Sequence, residues 1–351
     1  MRRRPLLLAG LGLGLGLRLN ARAQAPAAAS GRTLVFPRDH GAHPTTRTEW
    51  WYLTGWRGPL DAPTHGFQVT FFRSRTDIDS RSNSSFTPRQ ILFAHAALTD
   101  LRARSHHHAD RIARWNGDPA APLAAAALDD AAVHIGRWRL ARNAEGWQAH
   151  IDDPALDLVL RRTQPLLLQG EAGWSRKGPQ PGQASHYVSA PQLDVQSPAG
   201  GGRAWMDHEW SDELLHPQAV GWDWAGINLV DGSALTVFRL RRADGSVLWA
   251  GGSWRPAAGS AQNFGADEVT MTPRRLWVSG ATGGRYPLDW TLDTPAGRFE
   301  LRALLDAQEL DARRSTGSVY WEGLSELRDG QGRRVGLGYL ELTGYAGRLR
   351  L

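Results

Sequence analysis

The 351-residue chain contains no cysteine. It therefore has no disulfide to staple it, no thiolate nucleophile and no cysteine-bound zinc, and its stability must come from hydrophobic cores. Lysine is almost missing as well: among 41 basic residues only Lys177 is a lysine. A lone lysine is either an ordinary surface charge or an amine kept for a specific purpose. No stretch carries a long amphipathic helix; only Leu123–Ala132 and Leu304–Arg314 have a pattern that suits a short one. The Gly-x-Ser-x-Gly elbow of serine hydrolases is absent, because Gly173-Trp174-Ser175-Arg176-Lys177 and Gly251-Gly252-Ser253-Trp254-Arg255 both miss it. No glycine-rich phosphate loop opens a helix.

Acids are missing from the first 23 residues, where Arg2, Arg3, Arg4, Arg18 and Arg22 all lie. Without those five, the basic residues almost balance the 35 acids, so the formal charge gives no argument for a nucleic-acid partner. A basic start, an apolar run from Pro5 to Leu17 and the small-x-small site Ala21-Arg22-Ala23 read as an export signal over residues 1–23. The run is shorter than the roughly 20 apolar residues of a membrane span. Arg3-Arg4 followed by Pro5-Leu6-Leu7 suits the twin-arginine route. The expectation is an exported protein, periplasmic or secreted and near a membrane surface, with a tether over residues 24–33.

The rest of the chain is a succession of short alternating runs. Trp50, Tyr52, Thr54 and Trp56 share one face of a strand, with Trp51, Leu53 and Gly55 on the other. Phe67-Val69-Phe71, Ile91-Phe93-His95-Ala97 and Val133-Ile135 keep the same period. Asn143-Ala144-Glu145-Gly146, Asp231-Gly232, Asp244-Gly245 and Asp329-Gly330 supply hairpin turns. Strands so many and so short predict an all-β protein of two antiparallel barrels, over residues 34–198 and 199–351, with a junction near Ser197–Gly202. Ser80–Pro88 and His106-His107-His108 are expected in polar loops.

Sixteen tryptophans decide what kind of pocket to expect. Trp50, Trp51, Trp205, Trp222 and Trp224 fall in tight groups, and residues at i and i+2 of a strand point the same way. That fits an aromatic-lined cavity for an apolar or unsaturated small molecule or lipid. The densest polar cluster is Asp207-His208-Glu209-Trp210, and Asp223 stands between two tryptophans. Alternation sends Trp205, Asp207 and Glu209 to one face and Met206, His208 and Trp210 to the other. Acids held against indole rings lose solvation, which raises their pKa and makes them proton donors near neutral pH. The plainer reading is a buried polar network joining two barrels. Asp39, His40 and His43 have metal-like composition, but their irregular Pro/Gly segment reads better as a structural cap on the first barrel, so no metal is expected.

Six blocks resemble the AttH and carotenoid 1,2-hydratase family: Phe36–Pro44, Thr48–Tyr52, Asp207–Ser211, Gly221–Trp224, Tyr320–Gly323 and Gly338–Tyr345. The resemblance spans the chain beyond the leader and implies two lipocalin-like barrels with a ligand cavity. It also implies cofactor-free chemistry, in which a carboxylic acid protonates a terminal double bond of an acyclic polyene and water adds to the tertiary cation. His208 and Trp210 match the family's His-x-Trp. The acid of its characterised hydratases, in a Tyr-x-Asp pair on a following strand, has no counterpart in Ser233–Phe238, which leaves Asp207, Glu209 and Asp223 as the candidate acids. Two readings follow: a hydro-lyase acting on a polyene or isoprenoid, or a non-catalytic periplasmic carrier of an apolar ligand.

Overall fold

The computed structural model describes residues 32–76, 87–213 and 215–349. The expected export signal, most of the expected tether and most of Ser80–Pro88 lie outside the described residues. Among those described there is no α-helix, only a 3-10 turn at Arg38–His40 and 25 strands.

The first sheet begins with β1 (Thr48–Arg57), β2 (His65–Arg75), β3 (Gln90–Asp100) and β4 (Ser105–Trp115). It continues through β5 (Ala124–Ala126), β6 (Ala132–Ile135), β7 (Trp138–Arg142), β8 (Gly146–Asp152) and β9 (Ala155–Arg161). Two short strands, β10 (Leu167–Leu168) and β11 (Trp174–Arg176), pair with the long β12 (Ala184–Gln196), and β13 (Gly202–Ser211) joins β12 to β1. The order β4-β3-β2-β1-β13-β12-β9-β8-β7-β6-β5 is antiparallel throughout, and β4 meets β5 to bring the barrel close to closure.

The second sheet takes β14 (Gly221–Leu229), β15 (Ala234–Arg241), β16 (Val247–Arg255), β17 (Gln262–Phe264) and β18 (Thr270–Pro273). A separate ribbon of β19 (Leu276–Val278) and β20 (Arg285–Pro287) follows, then β21 (Asp289–Thr294), β22 (Gly297–Ala303), β23 (Glu309–Ala312), β24 (Ser318–Arg328) and β25 (Arg334–Leu342). The order is β17-β16-β15-β14-β25-β24-β22-β21-β18, with β23 on β24. The fold is all-β, two lipocalin-like antiparallel barrels.

Alternation along each strand sends most of the buried apolar residues described to three main cores. Trp51, Leu53, Phe71, Trp138 and Met206 fill the first barrel. Ala225, Ile227, Trp290, Trp321 and Leu340 fill the second. The opposite faces of the same strands, with Tyr52, Trp56, Trp205, Trp224, Phe238 and Tyr339, meet between the barrels as a third core. Two glycines allow this approach. A Cβ on Gly66 would stand 2.7 Å from Tyr339 Oη, and one on Gly226 would stand 2.4 Å from the Trp224 ring.

The structure departs from the sequence expectations in three places. The glycine-rich segment Ser197–Gly202 does not separate the barrels; it turns β12 into β13 within the first sheet. His106, His107 and His108 lie on β4 rather than in a loop, because the whole of Ser105–Trp115 pairs with β3. His106 meets Thr99 Oγ1 at 2.8 Å and His107 meets Asp153 at 2.6 Å. The two short helices expected at Leu123–Ala132 and Leu304–Arg314 are replaced by β5 and β23, each stitched to a neighbouring strand. Helices this short are marginal alone, so a sheet edge that satisfies their backbone groups wins. The turns at Asn143–Gly146, Asp231-Gly232, Asp244-Gly245 and Asp329-Gly330 all connect paired strands.

Candidate functional site

A cavity of about 390 Å³ opens between the barrels rather than inside either one. Its walls are the outward faces of β1, β2, β3 and β13 on one side and of β14, β15, β24 and β25 on the other. Trp50, Trp222 and Trp224 line it with Tyr52, Phe72, Phe93 and Phe238. The Trp50 and Trp222 rings run near parallel, 17° apart in plane and 6.4 Å between centroids.

Four carboxyl groups reach this aromatic cavity: Asp207 and Glu209 from β13, Glu322 from β24 and Glu341 from β25. Glu322 and Glu341 are cross-strand partners in the β24–β25 ladder. Asp207 is buried and accepts three hydrogen bonds, from Tyr187 Oη at 2.7 Å, Ser189 Oγ at 2.5 Å and Trp205 Nε1 at 2.6 Å. Trp224 Nε1 donates in turn to Tyr187 Oη at 3.0 Å. An indole N–H only donates, so a proton on Asp207 must sit on Oδ2, the oxygen facing Tyr187. Burial pushes the Asp207 carboxyl up to about 7 against those three donors, with Glu209 repelling its charge.

Glu341 is half-buried and accepts from Trp222 Nε1 at its Oε2, 3.0 Å away, so its proton belongs on Oε1. Enclosure raises this carboxyl to about 7; the Trp222 bond pulls it down, while Glu209 and Asp207 push it up. Glu322 is raised well above the ordinary range by burial and then by Glu341. Its Oε1 is buried without a hydrogen-bond partner, while the nearby Tyr52 hydroxyl works against the rise. Glu209 accepts from Ser185 and pairs with Lys177 Nζ at 3.1 Å. The lone lysine is thus no surface charge: it is buried, with its ammonium 4.2 Å from the Phe238 ring centre and 4.6 Å from that of Tyr187. Further along the wall His95 meets Tyr320 Oη at 2.8 Å, and burial lowers its pKa to about 4.

The other candidate residues stand elsewhere. His208 and Trp210 face the interior side of the first barrel, as alternation requires. His208 Nε2 lies 2.9 Å from Glu49 Oε1, and its ring stacks on Trp51 at 4.9 Å. Glu49 also takes His43 Nδ1 at 2.7 Å and Arg73 Nε at 2.7 Å, and the His43 ring lies 3.8 Å from that of Trp210. His43, Glu49 and His208 offer atoms within 4.8 Å of one another and could hold a metal ion. Their spacings are those of direct hydrogen bonds, however, and Arg73 already supplies the positive charge. The cluster fits an ionic lock at the barrel end better than a cation site, and Ala42 from the same segment packs into the first core. Trp51 donates to His40 O at 2.9 Å inside that barrel. Trp205 stands behind Asp207 in the inter-barrel core. Asp223 points into the second barrel, held by Arg239 at 2.7 Å, Arg241 at 3.0 Å and Tyr345 at 2.9 Å.

Buried polar groups do join the barrels: Asp207 through Tyr187 to Trp224, His95 to Tyr320, and two amides. Gln192 donates to Leu229 O and Ser233 O at 3.0 and 2.8 Å, and Gln169 donates to Thr236 at 3.0 Å. Sequence reasoning missed Glu322 and Glu341. The signal was present, an acid on an otherwise apolar strand in Tyr320-Trp321-Glu322 and Tyr339-Leu340-Glu341. Only the pairing of β24 with β25 brings the two together.

The fold and the inter-barrel cavity define a two-barrel, lipocalin-like protein with a carboxyl-rich cavity between its barrels. The chain belongs to the AttH-like family, whose model matches residues 27–345. A solved structure assigned to AttH from Nitrosomonas europaea is 41% identical, with a TM-score of 0.81 over 90% of this chain and 98% of that one. Kievitone hydratase from Nectria haematococca shares the fold at 13% identity and a TM-score of 0.62, covering 90% of this chain and 96% of its own. CghA with Sch210972 does so at 13% identity and a TM-score of 0.52, covering 90% and 95%. No curated protein matches the sequence significantly.

Proposed function

We propose that the protein is a cofactor-free hydro-lyase that adds water across a carbon–carbon double bond of an apolar polyene or isoprenoid. The observation that carries this reading is the pair Asp207 and Glu341, two carboxyls with pKa values near 7 in one aromatic-walled cavity. Such groups are proton donors and acceptors at the same pH. Glu341, the more open of the two, gives the proton on Oε1 to the less substituted alkene carbon, and the π electrons form the new C–H bond. The tertiary cation left behind lies against the Trp50, Trp222 and Trp224 faces. Water attacks it, and its proton passes to Asp207 Oδ2, which Tyr187 orients. Net, one water is added and both carboxyls are restored by a proton exchange with solvent. A cavity of about 390 Å³ is at the low end of small-ligand sites; it encloses the reacting end of a long polyene rather than its whole length.

The test is turnover of an acyclic polyene with a terminal isopropylidene group in ¹⁸O-labelled water, read by mass spectrometry as a labelled tertiary alcohol. Glu341→Gln and Asp207→Asn should each lower the rate by about 10²–10⁴-fold while substrate still quenches tryptophan fluorescence. The rate profile should be bell-shaped about pH 7, its apparent values belonging to the pair. Undiminished turnover in both variants overturns the assignment. Binding without turnover in the wild type favours a carrier. The leader would place this activity outside the cytoplasm.

A further inference from the structure

The cavity holds more carboxyls than cations. Of Asp207, Glu209, Glu322 and Glu341, only Glu209 has a cationic partner among the described residues, Lys177 at 3.1 Å. Glu322 is 2% exposed, and its Oε1 has no hydrogen-bond partner at the wall of the cavity. Around these groups stand the faces of Trp50, Trp222, Trp224, Phe72 and Phe93. A neutral hydrocarbon leaves Glu322 Oε1 without a partner and brings no counter-charge to Asp207 or Glu341. A cation with apolar substituents answers both walls, giving charge to the carboxylates and contact to the indole faces, and such contacts strengthen when water is excluded.

We propose that this cavity is a receptor for amphiphilic organic cations, tertiary or quaternary ammonium ions that carry an apolar chain. The inference rests on the reading of the cavity as the ligand site. It deepens that reading, because an alkylammonium carries the charge and the apolar substituents of the tertiary cation formed in hydration. The groups facing such an ion are Tyr52 from β1, His95 from β3, Lys177 from the turn after β11, Tyr187 from β12, Asp207 and Glu209 from β13, Tyr320 and Glu322 from β24, and Glu341 from β25. His95 is neutral above about pH 4, and the three tyrosines and Glu322 are pushed well up and stay neutral. Asp207 and Glu341 gain charge as pH rises through about 7, so affinity for the ion rises over the same interval.

The experiment is calorimetric titration of the full chain with hydroxyhexyl-trimethylammonium and with its all-carbon isostere, in which a tert-butyl group replaces the trimethylammonium. At about pH 8.5 the cation should bind at least about ten-fold more tightly, and the advantage should shrink toward about pH 6. Glu341→Gln should weaken the cation about ten-fold and leave the isostere unchanged. Equal affinity for the two compounds, or binding of neither, overturns the receptor. The hydration assay is read separately. Preference for the cation with no alkene turnover supports the receptor and removes the hydratase, whereas turnover without that preference removes the receptor alone.

Discussion

Replacing Asp207 by asparagine should remove a fall in stability that the wild type shows as pH rises toward neutrality. In the unfolded chain this carboxyl ionises at its ordinary value of 3.8, whereas in the native state it stays protonated until about pH 7. Between those values the unfolded state binds fewer protons, so stability falls as pH rises. The contribution is fully present below 3.8 and lost by about 7. At about 1.4 kcal/mol per pH unit, the loss amounts to about 4 kcal/mol, and with Asp207 only 2% exposed little of it is screened. Asparagine abolishes that term. It can still accept from Trp205 and Ser189 at its oxygen, and its amide presents an N–H to the Tyr187 hydroxyl where the protonated acid presents Oδ2–H. Asp207→Asn should therefore match the wild type near pH 4 and exceed it near pH 8 by up to about 4 kcal/mol. Urea denaturation at a series of pH values, with the slope m checked for constancy, measures both curves. A gap between the two proteins that stays constant from pH 4 to pH 8 would refute the argument, because it would mean that Asp207 ionises normally in the fold.

Glu49→Gln should lower stability by about 3–5 kcal/mol, since it leaves the fully buried Arg73 without its counter-charge. The fold holds the Glu49 carboxyl far below its ordinary 4.5, mainly through His208 and His43 against the opposing effect of burial, so its contribution is present above that value and fades in acid. The wild type should thus lose stability as pH falls below about 4.5, and the variant should show a flatter acid limb; equal acid limbs would contradict the lock. Lys177→Met should destabilise by a similar amount by stranding Glu209, and adding Glu209→Gln should recover much of the loss; additive losses in the double variant would show that the pair is not coupled. N-terminal sequencing of the exported protein should start near Gln24, and Met1 retained on cytoplasmic protein would remove the export reading.

The division of faces along β13 was legible from alternation alone. Trp205, Asp207 and Glu209 do share one side and His208 and Trp210 the other, because a strand's side-chain period is two whatever it packs against. Choosing between those faces was beyond the sequence. His208 and Trp210 sit beside the acids in the chain, yet they belong to the ionic lock with Glu49, and the backbone of β13 separates them from the cavity. Asp223 shows the same limit. Its two tryptophan neighbours suggested a cavity acid, but the β14–β15 register sets it opposite Arg239 and inside the second barrel.

By itself the sequence determined the class of fold, since turn chemistry, the period of two and the lack of cysteine and long helices leave an all-β protein with hydrophobic cores. It also marked Asp207 and Glu209 as acids on an otherwise apolar strand, but it did not single out Glu322 or Glu341. Tertiary structure decided which acids share a site. Glu322 and Glu341 lie far along the chain from Asp207, and Lys177 stands outside every strand. They converge only because the outward faces of two barrels, each with its own core, press together and leave a gap between them. A carboxyl's protonation depends on the solvent and charges around it, so its chemistry could not be read until the second barrel was in place.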